Sequence, residues 1–340
     1  MIMKKSLIMS KINFFKKIFR EASLVSSEYS WKLAAYNLLW WFAFCFRTPL
    51  SYRISSFALR KKKLWLDHFI EKNYSGIIDE SRNILDASQD AERRIWVFWY
   101  QGEESMPVLV KSCYRQLTAY NDNVTLITQD NVSSYLSVPE TIMERVGKGT
   151  FSPTHLSDLI RTLLLAKYGG LWVDATVWTA GNVFCEKLEA LDFFSPNGKV
   201  RCTARGICFW TSGMYNWSTW CMYAAKKNMQ LFAFVSRMLC AVATDKKVFP
   251  DYVFMDYLID YACRNFKESQ RVISSCQGLM GEKRNALAEI MNEPYDEQKL
   301  KTLTERDMFF KLSYRTPWSI FTPSGKETFY GKIISFEKNA

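Results

Sequence analysis

The chain has 340 residues, of which 48% are hydrophobic and 16% aromatic, and it carries a formal net charge of +11 at pH 7. Such a composition supports one large or two moderate cores and excludes a largely disordered chain. Nine cysteines without a C-x-x-C pair argue against a disulfide framework, and only two histidines, His68 and His155, exclude a histidine-rich zinc site.

The charge excess lies in one N-terminal arm. Residues 1–63 contain 13 Lys and Arg but only two acids, Glu21 and Glu28, so the rest of the chain is balanced. A balanced main body and an apolar arm argue against a nucleic-acid-binding protein.

Aromatic and apolar residues crowd the arm between Lys32 and Arg47, but the run is short and interrupted by Asn37. It is therefore too short to span a bilayer. With basic residues such as those at 60–63, it predicts a cytoplasmic protein bound peripherally to the inner face of the cell membrane. The alternatives are that the aromatic residues pack on the main domain and that residues 60–63 are a solvated charge run.

Beyond the arm, strands and helices alternate. Residues 64–94 are expected to be mostly helical and to complete an N-terminal segment of residues 1–94, followed by a domain of residues 95–340. Apolar runs predict strands from Ile95 to Tyr100 and from Val124 to Thr128, separated by a helix from about Pro107 to Tyr120. This order predicts an α/β fold with a mixed, mainly parallel sheet, which binds ligands at the carboxyl ends of its strands.

The segment from Ser157 to Thr176, SDLIRTLLLAKYGGLWVDAT, carries the clearest chemical signal. Its leucines and isoleucine recur at helical spacing, while Asp158 and Arg161 share a neighbouring edge of the same helix. Gly169 and Gly170 predict the end of the helix and a tight turn. A strand from Leu171 to Trp178 would then point Asp174 and Thr176 to the same side.

This segment resembles the capsular polysaccharide synthesis proteins and, more distantly, mannosyltransferases and clostridial toxin glucosyltransferases that share an SD-x-x-R helix before a DXD strand. The stretches IWVFWYQGEESMP (95–107) and KGTFSPTHLSDLIR (148–161) extend the resemblance, which is expected to run from about Ile95 to about Trp318, without the residues before Ile95. The resemblance implies a GT-A glycosyltransferase fold, a nucleoside diphosphate sugar as donor and, mostly, retention of anomeric configuration.

The resemblance also assigns roles to site residues. Asp174 and Thr176 would bind Mn²⁺ or Mg²⁺, although the Thr176 hydroxyl replaces a carboxylate and weakens the charge at the metal. Asp158 would accept hydrogen bonds from the donor sugar, and Arg161 would contact the sugar or the phosphates. The alternative for these two residues is a simple ion pair on the helix surface.

Further donor contacts are expected from aromatic and basic residues. Trp99 matches an aromatic residue that stacks on the nucleotide base in the toxin relatives, although core packing is an equal alternative. In FFKLSYRTPW (309–318), Lys311 would neutralise the diphosphate and Trp318 would cover it. Asp256 and Asp260, four apart on a predicted helix, have the spacing of a solvated face.

Together these features predict a membrane-associated, metal-dependent glycosyltransferase. It would transfer a sugar from a nucleoside diphosphate donor to a saccharide or lipid-linked saccharide of a capsular or other surface polysaccharide, and it would not bind nucleic acid. The alternative is a non-catalytic, membrane-associated subunit of a polysaccharide synthesis complex, because Thr176 stands where a second acid is expected.

Overall fold

A computed structural model describes residues 16–46, 48–84, 89–196, 217–275 and 284–335. Its N-terminal part is helical: α1 covers residues 16–28, α2 Trp31–Phe46, α3 Pro49–Asn73 and α4 Ser75–Arg82. A capping box starts α3, because the Thr48 side chain accepts from the Ser51 N–H and the Ser51 side chain accepts from the Thr48 N–H. Within the described residues, no helix has the length and apolarity that crossing a membrane requires.

A five-stranded mixed sheet occupies the centre of the molecule. Its strands are β1 (Ile95–Phe98), β2 (Val124–Ile127), β3 (Gly170–Val173), β5 (Phe193–Phe194) and β6 (Cys221–Ala224). They lie in the order β2-β1-β3-β6-β5. The strand β1 is parallel to both β2 and β3, whereas β6 is antiparallel to β3 and β5. The expected α/β fold with a mixed sheet is confirmed.

Helices and a second, two-stranded sheet surround the central sheet. In the small sheet, β4 (Val177–Thr179) pairs antiparallel with β7 (Phe309–Lys311). A 3₁₀ turn covers Glu103–Ser105. The further helices are α5 (Val108–Tyr120), α6 (Val132–Tyr135), α7 (Glu140–Gly147), α8 (Pro153–Tyr168), α9 (Glu186–Glu189), α10 (Gln230–Asp245), α11 (Phe254–Asn265), α12 (Lys267–Ser275), α13 (Ala286–Ile290), α14 (Glu297–Thr304) and α15 (Phe329–Ile334).

Strand alternation divides the core between the two faces of the central sheet. Trp96 and Trp172 join the larger hydrophobic cluster on one face. Val97 and Leu171 join a second cluster on the other face. All four side chains are almost completely buried, because their strands β1 and β3 lie inside the sheet and both faces of the sheet are covered.

The predicted strand from Leu171 to Trp178 is wrong, because the chain turns in the middle of it. The Asp174 N–H donates to the Trp220 carbonyl, and the Val177 N–H donates to the Asp174 carbonyl, which closes a turn between β3 and β4. The alternation of side chains nevertheless holds on the apolar face, where Leu171 and Val177 lie in the same cluster. Asp174 and Thr176 therefore lie in the turn, at the carboxyl end of β3.

The N-terminal helices pack into the main core. Trp40, Leu66 and Phe69 belong to the same cluster as the central strands and α10. Lys62 is 1% exposed and pairs with Asp251. The expectation that residues 60–63 face solvent or lipid headgroups is thus wrong for Lys62, whereas Lys63 is partly exposed and pairs with Asp260 at 2.6 Å.

Candidate active site

Helix α8 presents the first two site residues. Ser152 caps it by accepting from the His155 N–H at 3.1 Å, and Pro153 occupies the first turn. The apolar stripe of α8 is buried in the main core. This anchoring holds Asp158 and Arg161 at the edge of the core, with side chains 15% and 6% exposed.

Two glycines let the chain pass directly from α8 into β3. Gly169 ends the helix with φ of 65°, and Gly170 begins the strand with φ of 88°. A Cβ on Gly170 would lie 2.5 Å from the Arg94 carbonyl oxygen, and one on Gly169 would lie 2.4 Å from Ala91 Cβ. Only glycine combines this backbone conformation with so close an approach, as the sequence predicts.

The Asp174 carboxylate is the centre of the site. Its Oδ1 accepts from Arg161 Nη2 at 3.1 Å and from Trp172 Nε1 at 2.9 Å. Its Oδ2 accepts from Lys311 Nζ at 2.7 Å. Burial alone would raise the pKa of Asp174, but Lys311 and Arg161 outweigh it and hold that pKa below its ordinary value. Asp174 is therefore ionised at neutral pH.

Lys311 joins Asp174 to Thr176. The β4–β7 register places Lys311 opposite Val177, and from there its Nζ also donates to Thr176 Oγ1 at 2.8 Å. The Lys311 side chain remains 29% exposed. The structure therefore brings together four residues that the sequence predicts as site residues: Asp158, Arg161, Asp174 and Lys311, with Thr176 beside them.

A second acidic group lies on the other side of Arg161. Asp158 Oδ1 is 3.4 Å from Arg161 Nη1. Burial raises the pKa of Asp158 to about 7, and nearby Asp256 and Asp174 add to the rise against Arg161. Burial likewise raises the pKa of Asp256 to about 6, although a hydrogen bond from Trp217 Nε1 at 3.0 Å opposes it.

Two residues of this cluster, Asp256 and Trp172, were not predicted as site residues from the sequence. Asp256 is not part of a solvated face, since it is partly buried and lies close enough to Asp158 to help raise the pKa of that carboxyl. Trp172 holds Asp174 through its indole N–H, and the Arg161 guanidinium lies 5.0 Å from its ring centre. Alternation places Trp172 on the same side as Asp174 and could have identified it. Nothing local to α11 distinguishes Asp256 from Asp260.

Trp99 follows β1 at the carboxyl edge of the sheet and is partly buried. Its Nε1 donates to Ser105 Oγ at 2.9 Å, and its ring meets Tyr314 edge to face at 6.0 Å. Tyr314 comes three residues after Lys311, so this aromatic pair borders the site. Trp318 donates to the Ser313 carbonyl at 2.9 Å and packs with a third cluster. No contact within the described residues joins Trp318 to Asp174.

The residues around Asp174 do not fit a divalent ion in this arrangement. Mn²⁺ and Mg²⁺ need several oxygen ligands with free lone pairs. Both Asp174 oxygens and the Thr176 hydroxyl already accept from Lys311, Arg161 or Trp172. Within the described part of the chain, no three acidic, Cys or His side chains cluster closely enough to hold a metal.

A cavity of about 780 Å³ lies between the N-terminal helices and the start of α8. Apolar, basic and acidic side chains line it, with the basic ones outnumbering the acids Glu21 and Asp251: Ile18, Leu24, Val25, Trp41, Lys17, Arg20, Arg145 and Lys247. His155 and Tyr252 also line it. Burial lowers the pKa of His155 to about 4, so this histidine is neutral. Tyr252 lies near both Asp158 and Arg315, which connects the cavity with the carboxylate cluster.

The arrangement can bind an anion and a polyol at adjacent positions. Arg161 and Lys311 carry hydrogen-bond donors suited to phosphate oxygens. Asp158 and Asp256 carry oxygens that accept from hydroxyl groups. Both sets lie at the carboxyl edge of parallel strands, where open α/β sheets bind ligands.

Comparisons with known proteins identify a family and a relative. The model of the family described as capsular polysaccharide synthesis protein matches residues 48–333. An O-glycosyltransferase, PaGT, from Phomopsis amygdali is 24% identical over 159 residues, which are 42% of this chain and 36% of that protein. The chain thus matches little more than a third of that relative's length. The resemblance expected from the motifs is confirmed, but its expected start near Ile95 is wrong, because the match begins at the N-terminus of α3.

Proposed function

Because the chain belongs to the capsular polysaccharide synthesis family, we propose that it is a glycosyltransferase that moves a sugar from a nucleoside diphosphate donor to a surface-polysaccharide saccharide. The observation that carries the proposal is the cluster in which Arg161 and Lys311 converge on Asp174 beside Asp158. The glycosyltransferase name of the fungal relative supports the same class of reaction.

The cluster suits both halves of such a donor. As the bond to the sugar breaks, negative charge grows on the departing diphosphate, and the fixed cations Arg161 and Lys311 would stabilise it. Asp158 and Asp256 would accept from hydroxyl groups of the sugar. The edge formed by Trp99 and Tyr314 offers an aromatic surface for the nucleotide base.

Stereochemistry and metal dependence are further parts of the proposal. Retention of configuration rests on the resemblance alone. A front-face transfer, in which the leaving diphosphate takes the acceptor proton, would need no carboxylate nucleophile. Metal dependence stays a prediction, against which the occupied oxygens of Asp174 and Thr176 weigh.

The acceptor is proposed to be a lipid-linked saccharide. The cavity beside Tyr252 has an apolar and basic lining that suits a lipid phosphate. On α3, an exposed apolar stripe consists of Leu50, Ile54, Phe57 and Leu64, and exposed Arg53, Arg60 and Lys61 flank it. We name these four residues the α3 stripe. Apolar residues bordered by basic ones favour binding to a membrane surface with anionic headgroups.

A panel of nucleoside diphosphate sugars, incubated with the full chain and assayed for nucleotide release, tests the reaction. We expect at least one donor to be hydrolysed. We expect Asp174→Asn to reduce turnover by at least about 100-fold, because the cations that face the leaving group lose their partner. Asp79→Asn is the matched control, since Asp79 is an exposed acid that pairs with Arg82 at 3.0 Å.

Full turnover by Asp174→Asn, with an unchanged melting temperature, would contradict the proposed role of this residue. If no donor in the panel binds or is hydrolysed, the proposal of catalysis fails. That result would support the alternative of a non-catalytic subunit, which is suggested by Thr176 in the place of a second acid.

A further inference from the structure

We propose that Lys311 supplies the positive charge that a divalent metal ion supplies in glycosyltransferases with two acids in their strand motif. Nucleoside diphosphate binding and sugar transfer by this protein would then need no metal ion. The inference rests on the proposed function, since it presupposes a nucleoside diphosphate donor.

The Lys311 ammonium contacts both side chains of the predicted metal site. Lys311 Nζ lies 2.7 Å from Asp174 Oδ2 and 2.8 Å from Thr176 Oγ1. These are the two side chains whose oxygens the motif assigns to the metal. A divalent ion bound to both oxygens, at about 2.0 to 2.6 Å, would lie next to the ammonium, where like charges repel.

The oxygens of Asp174 and Thr176 leave few lone pairs for a metal ion. Asp174 Oδ1 already accepts from Arg161 and Trp172. Asp174 Oδ2 accepts only from Lys311, so an ion bound to its second lone pair would lie beside the ammonium, and Thr176 would add only a neutral hydroxyl. Asp158 lies on the far side of Arg161, with which it pairs at 3.4 Å. The guanidinium therefore stands between the two carboxylates that could otherwise share an ion.

Backbone hydrogen bonds fix Lys311 beside the motif. The residue lies on β7, paired with Val177 of β4. The next N–H, that of Leu312, donates to the Thr176 carbonyl at 3.0 Å. The backbone on both sides of the ammonium is thus tied to the motif itself. A fixed charge needs no reorganisation when charge develops on the leaving group.

The Lys311 ammonium has one more N–H donor than its contacts with Asp174 and Thr176 use. An ammonium has three N–H donors, and two of them are used on Asp174 and Thr176. Its side chain is 29% exposed, so the third donor can reach a phosphate oxygen. Arg161, held by Asp158 and Asp174, provides a second positive charge within the same cluster.

In the transfer step, the bond between the anomeric carbon and the diphosphate oxygen breaks, and its electron pair stays on the diphosphate. The acceptor hydroxyl oxygen forms the new bond to the anomeric carbon. The proton of that hydroxyl passes to the departing diphosphate. Lys311 and Arg161 stabilise the diphosphate throughout and neither lose nor gain a proton.

Calorimetric titration of the full chain with UDP, GDP, CDP and ADP, each in EDTA and in Mn²⁺, tests the inference. We expect at least one nucleotide to bind in EDTA, with an affinity that Mn²⁺ changes less than about 3-fold. Lys311→Gln should weaken that binding roughly 10- to 100-fold, the worth of one hydrogen bond to a charged group. Lys148→Gln, which removes an exposed lysine paired with Glu144, should leave the binding unchanged.

Lys311→Glu should make nucleotide binding depend on a metal ion. It places a second carboxylate beside Asp174, so we expect nucleotide binding in EDTA to be lost and binding in Mn²⁺ to be restored. Electron paramagnetic resonance of Mn²⁺ provides a readout without nucleotide. The unsubstituted chain should leave the signal of free Mn²⁺ unchanged, and the Lys311→Glu chain should reduce it.

Three results would overturn the inference. Nucleotide binding that occurs only in Mn²⁺ would refute it and leave the proposed function standing. Loss of the free Mn²⁺ signal with the unsubstituted chain would do the same. No binding of any nucleotide in either condition would refute both the inference and the proposed function. Melting temperatures of all variants separate loss of binding from loss of fold.

Discussion

Asp158 is a buried acid whose environment favours its neutral form. Burial raises its pKa from 3.8 to about 7, with Arg161 opposing and Asp256 and Asp174 adding to the rise. The folded state therefore keeps a proton that the unfolded chain has lost. The stabilisation from Asp158 is complete below the unfolded pKa, and it is lost as the pH rises toward the folded pKa.

Asp158→Asn tests this pH dependence. Asparagine stays neutral, so we expect the variant to exceed the unsubstituted chain in free energy of unfolding at pH 8. The difference should shrink as the pH falls toward 4. Urea unfolding at pH 4.5, 6 and 8 measures it, and exposed Asp79→Asn serves as control. A variant that loses stability more strongly at pH 8 than at pH 4.5 would contradict the assignment.

At this scale the sequence predicts the acids and bases but not their pairing. Asp158 and Arg161 follow from helical spacing, and Asp174 follows from its place after an apolar strand. The contact of Lys311 with Asp174 spans 137 residues, and no local pattern encodes it. The same holds for Asp256, whose proximity to Arg161 depends on how α8 and α11 both pack against α10.

Among the elements, the turn between α8 and β3 is the most constrained part of the site. Gly170→Ala would combine a strained φ of 88° with a Cβ 2.5 Å from the Arg94 carbonyl. We expect it to lower the free energy of unfolding by about 3 kcal/mol. Denaturant unfolding measures the loss, and turnover should fall as well, because Asp174 lies four residues further on.

Variants at two other glycines separate the effect of a positive φ from the effect of a close contact at Cβ. Gly181 has φ of 101° but open space around its Cβ position, so Gly181→Ala should cost only about 1 kcal/mol. Gly147, in α7, has neither a positive φ nor a close neighbour, and Gly147→Ala should be neutral or slightly stabilising. Equal losses in all three variants would refute the steric account of Gly170.

The elements of the central sheet are well predicted from the sequence, and the break after β3 is not. Apolar runs predict β1, β2 and the start of β3, and both faces of β1 and β3 are buried. The same alternation continues through the turn at Asp174, because Ala175 and Val177 still face the second cluster. What ends the strand is a change of hydrogen-bonding partner from β6 to β7. That change is a tertiary event without a local sequence signal.

At the scale of the whole molecule, the N-terminal helices both pack on the core and expose an apolar surface. Deleting residues 1–63 would remove Trp40 and Lys62 from the core, so loss of membrane binding in such a truncation would be uninformative. Substitutions on the α3 stripe avoid this problem, because its residues are exposed.

We expect Leu50→Ser, Phe57→Ser and Leu64→Ser, combined in one chain, to reduce flotation with vesicles that contain anionic lipid. The reason is that the apolar part of the contact is lost while the basic residues remain. The melting temperature should change little. A triple substitution of exposed Tyr120, Ile320 and Phe321 to serine, elsewhere on the surface, is the control. Equal flotation of the two variants would show that the α3 stripe does not bind membranes.

The pairing of β4 with β7 has a consequence for the order in which the protein matures. Asp158, Arg161 and Asp174 leave the ribosome well before Lys311, which follows Asp174 by 137 residues. Until Lys311 arrives, the nascent chain lacks one of the two cations that contact Asp174. If the proposed donor binds through both cations, we expect its binding to begin only after the small sheet has closed, because a chain arrested before residue 311 lacks one of them.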